Sequence, residues 1–316
     1  MADKIATREA YGNALVEFGA IYNEVVVLDA DLAEATKTIM FKKKFPERFF
    51  DCGIAENNMM GICAGLATTG KIPFASTFAM FASGRSYEQI RNSIGYPHLN
   101  VKICATHAGI SVGEDGATHQ CNEDIALMRT IPGMVVINPS DAVEARAAIE
   151  AAIKYNGPMY MRFGRLAISV INDNPDYKFE IGKAIKMADG CDVTIVANGM
   201  MVEQALIARE TLLSEGISAS VINMHTVKPL DVNTLLTEAQ QTGAIVTSEE
   251  HNIIGGLGSA VSEALAEICP VPVVKHGVND EFGRSGPAKE LIEYYGLNAK
   301  GIVEKVKIAL KLKNNN

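Results

Sequence analysis

Short apolar runs recur along the chain and alternate with segments of helical spacing, and this alternation most narrowly limits the fold. In the first half the runs are Val25–Leu28, Val101–Cys104, Met134–Ile137 and Met159–Met161. An uninterrupted apolar run predicts a strand that is buried on both faces, as is typical of a parallel sheet. Strands that alternate with helices therefore predict an α/β protein with a doubly wound parallel sheet.

A second alternating block occupies the other half of the chain. Its apolar runs are Val193–Ala197, Ala219–Asn223, Ala244–Thr247 and Val271–Val274. The polar stretch Asn172–Asp176, with its turn-forming residues, separates the blocks and is typical of a linker. We therefore predict two doubly wound α/β domains, at residues 1–168 and 185–316, joined by a linker at 169–184.

Charge and cysteine content exclude several classes of protein. The formal net charge is −8 at pH 7, which disfavours a nucleic-acid or anionic-membrane surface. The six cysteines form no C-x-x-C pair, so we predict no disulfide framework and no zinc site. The sequence contains no apolar run long enough to cross a membrane and no signal-peptide pattern, which predicts a soluble cytoplasmic protein.

Glu56 is the first candidate functional residue. It follows a turn at Gly53 and begins a predicted helix that contains Gly61 and Gly65. An acidic residue in the first helical turn is stabilised by the free N–H groups and the helix dipole, which alone would explain its presence. Its neighbours are mostly apolar or small, so we expect a partly desolvated carboxyl group. Such groups cluster at functional sites, and we predict that Glu56 is a working carboxyl.

The loop at residues 106–120 is the most polar segment that follows a predicted strand. It contains His107, Asp115 and His119 among glycines, at the sheet edge where α/β proteins bind ligands. Hydrogen bonding within a loop and a functional role both remain open for these histidines. Their spacing is not that of an established zinc site, so we predict no metal ligand here.

Three further segments carry polar or aromatic groups beyond what packing requires. Asp29 and Asp31 follow the first apolar run, and turn formation or capping explains at least one of them. Phe78 and Phe81 can share one face at the start of a helix, either for core packing or as a platform for a planar ring.

Arginines in the segment MRFGR (161–165) suit a phosphate or a carboxylate, and the alternative is a surface salt bridge. The segment GGLGS (255–259) lacks the G-x-G-x-x-G spacing of a nucleotide loop, so we predict a closely packed helix entry there.

An ordered set of motifs resembles the C-terminal half of transketolase, and above all the smaller subunit of split, two-gene transketolases. The motifs are DADL (29–32), GIAENNM (53–59), PFASTFAMF (73–81), THAGISVGEDGATHQ (106–120), IPGM (131–134), MRFGR (161–165) and EEHNIIGGLGSAV (249–261). The resemblance covers essentially the whole chain. It implies a pyrimidine-binding domain for thiamine diphosphate followed by the transketolase C-terminal domain.

The resemblance implies cofactor-binding roles for four residues. Glu56 matches the glutamate that hydrogen-bonds the aminopyrimidine ring of thiamine diphosphate and favours the tautomer that deprotonates the thiazolium carbon. Phe78 and Phe81 match aromatic residues that pack against that ring. Asp31 falls where the family lines the site at the subunit interface.

The resemblance also implies a sugar-binding set. Asp115 corresponds to the residue that distinguishes the stereochemistry of the donor hydroxyls, and His119 to one that contacts the donor near its carbonyl end. His107, Arg162 and Arg8 fall where the family holds the sugar phosphate.

The chain departs from the family pattern at several points. Gly84 replaces a tyrosine near the pyrimidine, with Arg85 beside it, and Ala35 replaces a phosphate-binding serine, for which Thr36 is a candidate substitute. The GDG motif and later Asn that hold magnesium and the diphosphate are missing from the sequence. The resemblance therefore implies an obligate N-terminal subunit that holds most of the thiamine diphosphate and the Mg²⁺, in an α2β2 heterotetramer.

We accordingly expect a transketolase that moves a two-carbon ketol unit from a ketose phosphate to an aldose phosphate in the pentose phosphate pathway. The alternatives are the beta subunit of a 2-oxo acid dehydrogenase, an enzyme like deoxyxylulose-phosphate synthase, and a non-catalytic regulatory subunit. The segment GEDGATHQ (113–120) argues against the dehydrogenase. The joint presence of Glu56, His107, Asp115 and His119 argues against a loss of activity.

Overall fold

The computed structural model describes residues 4–174 and 177–315, so Pro175 and Asp176 of the predicted linker lie outside the described residues. The strands are β1 Lys4–Ala6, β2 Val25–Asp29, β3 Phe49–Asp51, β4 Ile72–Phe78, β5 Lys102–Thr106, β6 Val135–Ile137, β7 Met159–Arg162, β8 Ala167–Ser169, β9 Ile185–Ala188, β10 Val193–Ala197, β11 Ala219–Asn223, β12 Thr226–Lys228, β13 Ile245–Asn252 and β14 Val273–Val278.

Helices alternate with these strands through both halves of the chain. They are α1 Thr7–Gly19, α2 Ala33–Thr36, α3 Ile39–Lys44, α4 Glu56–Ala67, α5 Tyr87–Gln89, α6 Asp124–Arg129, α7 Ala142–Lys154, α8 Met201–Ser214, α9 Val232–Thr242, α10 Leu257–Ile268, α11 Ala288–Tyr294 and α12 Ala299–Asn314. Two π-helical turns, Phe81–Arg85 and Ile90–Gly95, flank α5.

The first domain is built on a seven-stranded sheet with the order β12-β6-β7-β5-β4-β2-β3. All neighbouring strands are parallel except β12, which is antiparallel to β6. The four apolar runs predicted in this half are the buried strands β2, β5, β6 and β7. Because α1 and α7 cover one face of this sheet and α4 the other, its strands need apolar side chains on both faces.

The second domain is built on a five-stranded sheet with the order β14-β13-β10-β11-β9, parallel except for β9. Helices α8 and α12 pack on one face, and α9 and α10 pack on the other. The predicted architecture of two doubly wound α/β domains is confirmed by these two sheets.

Strand β12 crosses from the second half of the chain into the sheet of the first domain. Thr226 pairs with Ile137, and the backbone N–H of Asn138 donates to the carbonyl of His225 at 2.8 Å. The sequence pattern placed residues 185–316 entirely in the second domain. A three-residue strand carries no signal of its partner sheet, so this exchange between domains was not predictable from spacing.

The carboxyl ends of β2, β4, β5 and β7 meet at one edge of the first sheet because these strands are parallel neighbours. The polar loops identified in the sequence follow these strands, so the topology gathers them at that edge. Among the described residues, no helix is both long and apolar enough to cross a membrane. All six cysteines are free thiols.

Candidate functional site

Glu56 is the first residue of α4 and is 2% exposed. Its Oε2 atom accepts a hydrogen bond from Nη1 of Arg85 at 2.7 Å. The predicted burial of this carboxyl is therefore confirmed. The ion pair was not predicted, because the two residues are 29 positions apart and only the tertiary fold brings them together.

Phe78 and Phe81 form a stacked pair with ring centroids 5.8 Å apart and planes 14° apart. The sequence predicted that both begin a helix. Instead Phe78 ends β4, and Phe81 begins a π-helical turn that carries Arg85 at its end. A π-helical turn rotates the following side chains relative to a regular helix, and such turns are frequent at functional sites. The guanidinium of Arg85 lies over the ring of Phe81 at 4.5 Å.

His107 packs on the other side of this aromatic pair. Its ring stacks on Phe78 at 3.9 Å, and the residue is 3% exposed with a backbone φ of 56°. Nε2 lies 3.0 Å from Nη1 of Arg8, and Nδ1 lies 3.0 Å from Oγ1 of Thr106. A guanidinium can only donate, so Nε2 accepts and the proton resides on Nδ1. Burial, with the charges of Arg8 and Arg165, lowers the pKa of His107 to about 3.

Positive groups collect around His107. Arg8 donates to the carbonyl of Ala35 at 2.7 Å, and its buried Nε atom has no hydrogen-bond partner among the described residues. Burial and the nearby charge of Arg165 lower the pKa of Arg8. Lys37 adds a further positive charge that acts on His107. An anionic ligand group would accept a hydrogen bond from this buried donor and would be attracted by the neighbouring cations.

Arg162 does not join this positive cluster. It is 3% exposed, and its Nε donates to Oδ2 of Asp124 at 2.9 Å. Its Nη2 donates to the carbonyls of Glu250 at 2.7 Å and Cys121 at 3.3 Å. Burial alone would lower the pKa of Arg162, but the charges of Asp124 and Glu250 hold it above its ordinary value. These contacts argue against the predicted role of Arg162 as a phosphate ligand. Its guanidinium instead bonds Asp124 and Cys121 of the first domain and Glu250 of the second. Arg165, in the same MRFGR segment, acts through its charge on His107 and Arg8, while its Nη1 donates to Oε2 of Glu114 at 3.0 Å.

The aspartates after β2 have different roles. Asp29 is fully buried and accepts hydrogen bonds from the backbone of Leu32 at 2.6 Å and from the hydroxyls of Thr36 at 2.7 Å and Thr38 at 2.8 Å. It is thus the residue that shapes the turn. Asp31 is exposed at the sheet edge with a φ of 62°. Because the Thr36 hydroxyl is buried against Asp29, it does not substitute for the serine that Ala35 replaces.

The 106–120 loop presents its remaining candidates toward solvent. Asp115 is exposed and His119 is half-buried, with Nδ1 2.9 Å from Oγ1 of Thr118 and its ring edge-on to Phe81 at 5.4 Å. Gln120 was not predicted to matter. Its side-chain amide donates to the carbonyls of Ile110, Gly113 and Arg284, which holds the inside of the loop against the second domain.

A cavity of about 610 Å³ opens beside the aromatic pair. Phe81 and Arg85 line it from one side and Gln120 from the loop, while residues 280–283 close it from the second domain. Its volume is in the range of small-molecule and cofactor sites. Within residues 4–174 and 177–315, no group of three or more His, Cys, Asp or Glu side chains is placed to hold a metal ion.

Comparison with known families identifies the two domains. The model of the transketolase pyrimidine-binding domain matches residues 3–169, and that of the transketolase C-terminal domain matches residues 182–302. The chain belongs to the transketolase family. The resemblance drawn from the ordered motifs is thereby confirmed.

The relatives of this transketolase chain include proteins of its own length and others twice as long. A protein of Methanocaldococcus jannaschii named as a transketolase C-terminal section is 51% identical over 306 residues, which covers 96% of each chain. The 6-deoxy-6-sulfo-D-fructose transketolase subunit SqwH of Clostridium sp. is 44% identical and covers 97% of this chain and 95% of its own. Human transketolase is 37% identical over 97% of this chain but only 49% of its own.

Solved structures agree with this match. A split-gene transketolase, described as an inactive β4 tetramer, superposes with a TM-score of 0.91 at 55% identity and covers 98% of this chain and 99% of its own. Transketolase from Leishmania mexicana superposes with a TM-score of 0.83 at 25% identity and covers 46% of its own chain.

Proposed function

We propose that this chain is the C-terminal subunit of a split transketolase, a transferase that moves a two-carbon ketol unit from a ketose phosphate to an aldose phosphate. One observation carries the proposal: an unbroken series of contacts links the candidate residues. It leads from Arg8 to His107 at 3.0 Å, to Phe78 at 3.9 Å, to Phe81 at 5.8 Å, to Arg85 at 4.5 Å and to Glu56 at 2.7 Å. A positive cluster, an aromatic pair and a buried carboxyl are thus linked, and Phe81 and Arg85 of this series line the cavity of about 610 Å³.

The residues present fit one half of thiamine diphosphate. Glu56 offers a buried carboxyl for the ring nitrogen of the aminopyrimidine, and the Phe78–Phe81 pair offers an aromatic surface beside the cavity. When bound, the cofactor supplies the nucleophilic carbon that breaks and re-forms the carbon–carbon bond of the sugar. The GDG motif that holds magnesium and the diphosphate in the family is missing from the sequence, so we assign Mg²⁺ and the diphosphate to a partner chain.

The side chains of this subunit then have separate tasks. Glu56, whose Oε2 accepts from Arg85, would hydrogen-bond the pyrimidine, and the exposed Asp31 would line the site toward the partner. Asp115 and His119 contact the hydroxyls and carbonyl end of the donor sugar. The anionic end of the sugar binds Arg8 and the adjacent Arg165, in place of Arg162, while neutral His107 accepts a hydrogen bond from Arg8 and fixes its orientation.

The partner is an N-terminal transketolase subunit, and we propose an active α2β2 heterotetramer. The solved relative that assembles as a β4 tetramer is described as inactive, which supports a requirement for the second kind of chain. The full-length match to relatives of the same length supports a division of the enzyme into two chains. The transketolase names of these relatives favour this function over a 2-oxo acid dehydrogenase subunit, a deoxyxylulose-phosphate synthase-like enzyme and a regulatory subunit.

A second donor class is favoured by one feature of the anion site. Ala35 contributes only a backbone carbonyl, and the Thr36 hydroxyl is bonded to Asp29, so the site has no hydroxyl donor at this turn. A sulfonate carries less negative charge than a phosphate monoester, so the loss of one hydroxyl donor weakens its binding less. One relative is named as a 6-deoxy-6-sulfo-D-fructose transketolase subunit, and another, from Phocaeicola vulgatus at 39% identity, as an apulose-4-phosphate transketolase subunit.

A ketol-transfer assay tests the proposal. The chain and the N-terminal subunit are mixed with thiamine diphosphate and Mg²⁺, and supplied in parallel with xylulose 5-phosphate or 6-deoxy-6-sulfofructose as donor and with an aldose phosphate as acceptor. With one of the two donors we expect a product that is two carbons longer than the acceptor. The rate of transfer should fall roughly a hundredfold or more in Glu56→Gln. No transfer from either donor, or full activity in Glu56→Gln, would overturn the proposal.

A further inference from the structure

Strand β13 carries an acidic side chain of the second domain into the first. Glu250 is 4% exposed, and its Oε1 atom accepts a hydrogen bond from the backbone N–H of Ser111 at 2.6 Å. Ser111 is 139 positions away in sequence and lies in the middle of the loop that runs from His107 to Gln120, which we refer to as the substrate loop. A bond between an N–H and an ionised carboxylate is about twice as strong as a neutral one.

The backbone of the substrate loop passes directly over this carboxylate. Gly109 has a φ of +78°, and a Cβ atom at this position would lie 2.4 Å from Cδ of Glu250. Only glycine satisfies both the backbone angle and the close approach. Gly109 is two residues from His107, so the position of the Glu250 side chain sets the path by which the loop leaves the anion site.

The base of the loop is held by the same residue. The Glu250 carbonyl accepts from Nη2 of Arg162, which also donates to the carbonyl of Cys121. The N–H of Gly109 donates to that Cys121 carbonyl at 2.9 Å, so both ends of the loop meet there. The Glu250 side chain thus contacts the loop at Ser111, and its main chain is connected to the closed end of the loop through Arg162.

Glu250 does not reach the substrate itself. The space between its side chain, Arg162 and Ser111 is a cavity of about 20 Å³, which has room for about one water molecule and none for a sugar. Arg162 and Asp124 are the charged groups that face it, one attractive and one repulsive, and burial raises the pKa of Glu250. Any effect of this residue on catalysis must therefore pass through the loop.

We infer that Glu250 is a positioning residue by which the C-terminal domain fixes the substrate loop and, with it, His107, Asp115 and His119. This inference rests on the proposed function for its kinetic consequence, but its structural consequence is independent of it. Without the carboxylate the Ser111 N–H loses its acceptor, and the loop gains freedom. Substrate binding should weaken more than the turnover rate, because the loop carries sugar contacts rather than the buried carboxyl Glu56.

Hydrogen–deuterium exchange of the full-length chain provides the first test. Losing a hydrogen bond to a charged group should speed exchange of the Ser111 amide in Glu250→Ala by roughly tenfold or more. Glu250→Gln keeps an oxygen acceptor and should lie between Glu250→Ala and the unmodified chain. Glu263→Ala is the matched control, because Glu263 pairs with Arg129 at 2.6 Å across the same domains but away from the loop.

Kinetics with the N-terminal subunit provide the second test. We expect KM for the donor sugar to rise roughly tenfold in Glu250→Ala with a smaller change in kcat, partial rescue in Glu250→Gln, and no change in Glu263→Ala. If Glu250→Ala fails to fold, the Glu250→Gln comparison carries both tests. Unchanged loop exchange in folded variants, or an equal effect of Glu263→Ala, would overturn the inference. An unmodified complex without ketol transfer would overturn the proposed function alone, since the exchange result would still stand.

Discussion

At the scale of single residues, the candidate site depends on a histidine that is held neutral. His107 accepts from Arg8 through Nε2 and is stacked on Phe78, so a proton on Nε2 would break one contact and place a cation beside Arg8. The lowered pKa follows from this burial and from the neighbouring guanidinium groups. A neutral ring can orient Arg8 toward an anionic ligand without repelling the Arg8 guanidinium.

We therefore predict that His107 does not titrate between pH 5 and 8. Its ring resonances, assigned by comparison with His107→Asn, should keep the neutral Nδ1–H form down to about pH 4, whereas an ordinary histidine titrates near pH 6.5. Since the unfolded chain binds this proton below pH 6.5 and the folded chain only near pH 3, His107 makes stability fall as the pH drops through that window. A midpoint near pH 6.5 in the folded chain would contradict the assigned contacts.

The burial of Glu56 could be predicted because apolar and small neighbours surround it in sequence. Its partner Arg85 could not, because a π-helical turn sets the direction of that side chain. The MRFGR segment indicated an anion site near β7, and the family resemblance assigned that role to Arg162 rather than to Arg165. The two arginines have different roles because Asp124 and the Glu250 carbonyl bind Arg162, and only the folded chain brings these groups together.

At the scale of elements, the N-terminus of helix α10 is capped by a carboxylate of the chain itself, so its free N–H groups are not available to a ligand. Both oxygens of Glu249 accept backbone N–H bonds, from Leu257 at 2.7 Å and from Gly258 at 2.8 Å. A Cβ atom on Gly256 would lie 2.2 Å from Oε2 of Glu249. The GGLGS segment is thus the closely packed helix entry that its spacing predicted, and the anion-binding end of the helix is filled by the chain itself.

Removing this cap should destabilise the fold without affecting the cleft. Glu249→Ala leaves two buried N–H groups without an acceptor and should lower the free energy of unfolding by about 1–3 kcal/mol, measured by urea denaturation. Glu263→Ala, on the same helix but exposed, should cost less than about 1 kcal/mol. Equal losses in the two variants would show that the cap contributes nothing specific.

At the scale of the whole molecule, the two domains share a sheet and a buried hydrogen bond. Strand β12 of the second half completes the first sheet, and Arg162 of the first domain bonds the Glu250 carbonyl of the second. The periodicity of the sequence predicted two domains because each has its own alternating block. It could not predict their coupling, which depends on a three-residue strand and on contacts between distant positions.

Breaking this coupling should destabilise the chain as one unit. Arg162→Met leaves Asp124 buried without its cation and should cost about 3–5 kcal/mol of unfolding free energy. Adding Asp124→Asn should recover part of that loss, because the unpaired charge is removed. Chemical denaturation measured by circular dichroism would test both changes, and a loss below about 1 kcal/mol in the single variant would contradict a structural role for Arg162.

The most direct test of the account is calorimetric binding of thiamine diphosphate with Mg²⁺. It is measured on this chain alone, on its mixture with the N-terminal subunit, and on the same mixture made with Glu56→Gln. The account predicts tight binding only in the mixture, weakened roughly tenfold or more by Glu56→Gln. Tight binding by this chain alone, or equal binding with Glu56→Gln, would contradict the claim that the chain supplies only the pyrimidine half of the site through Glu56.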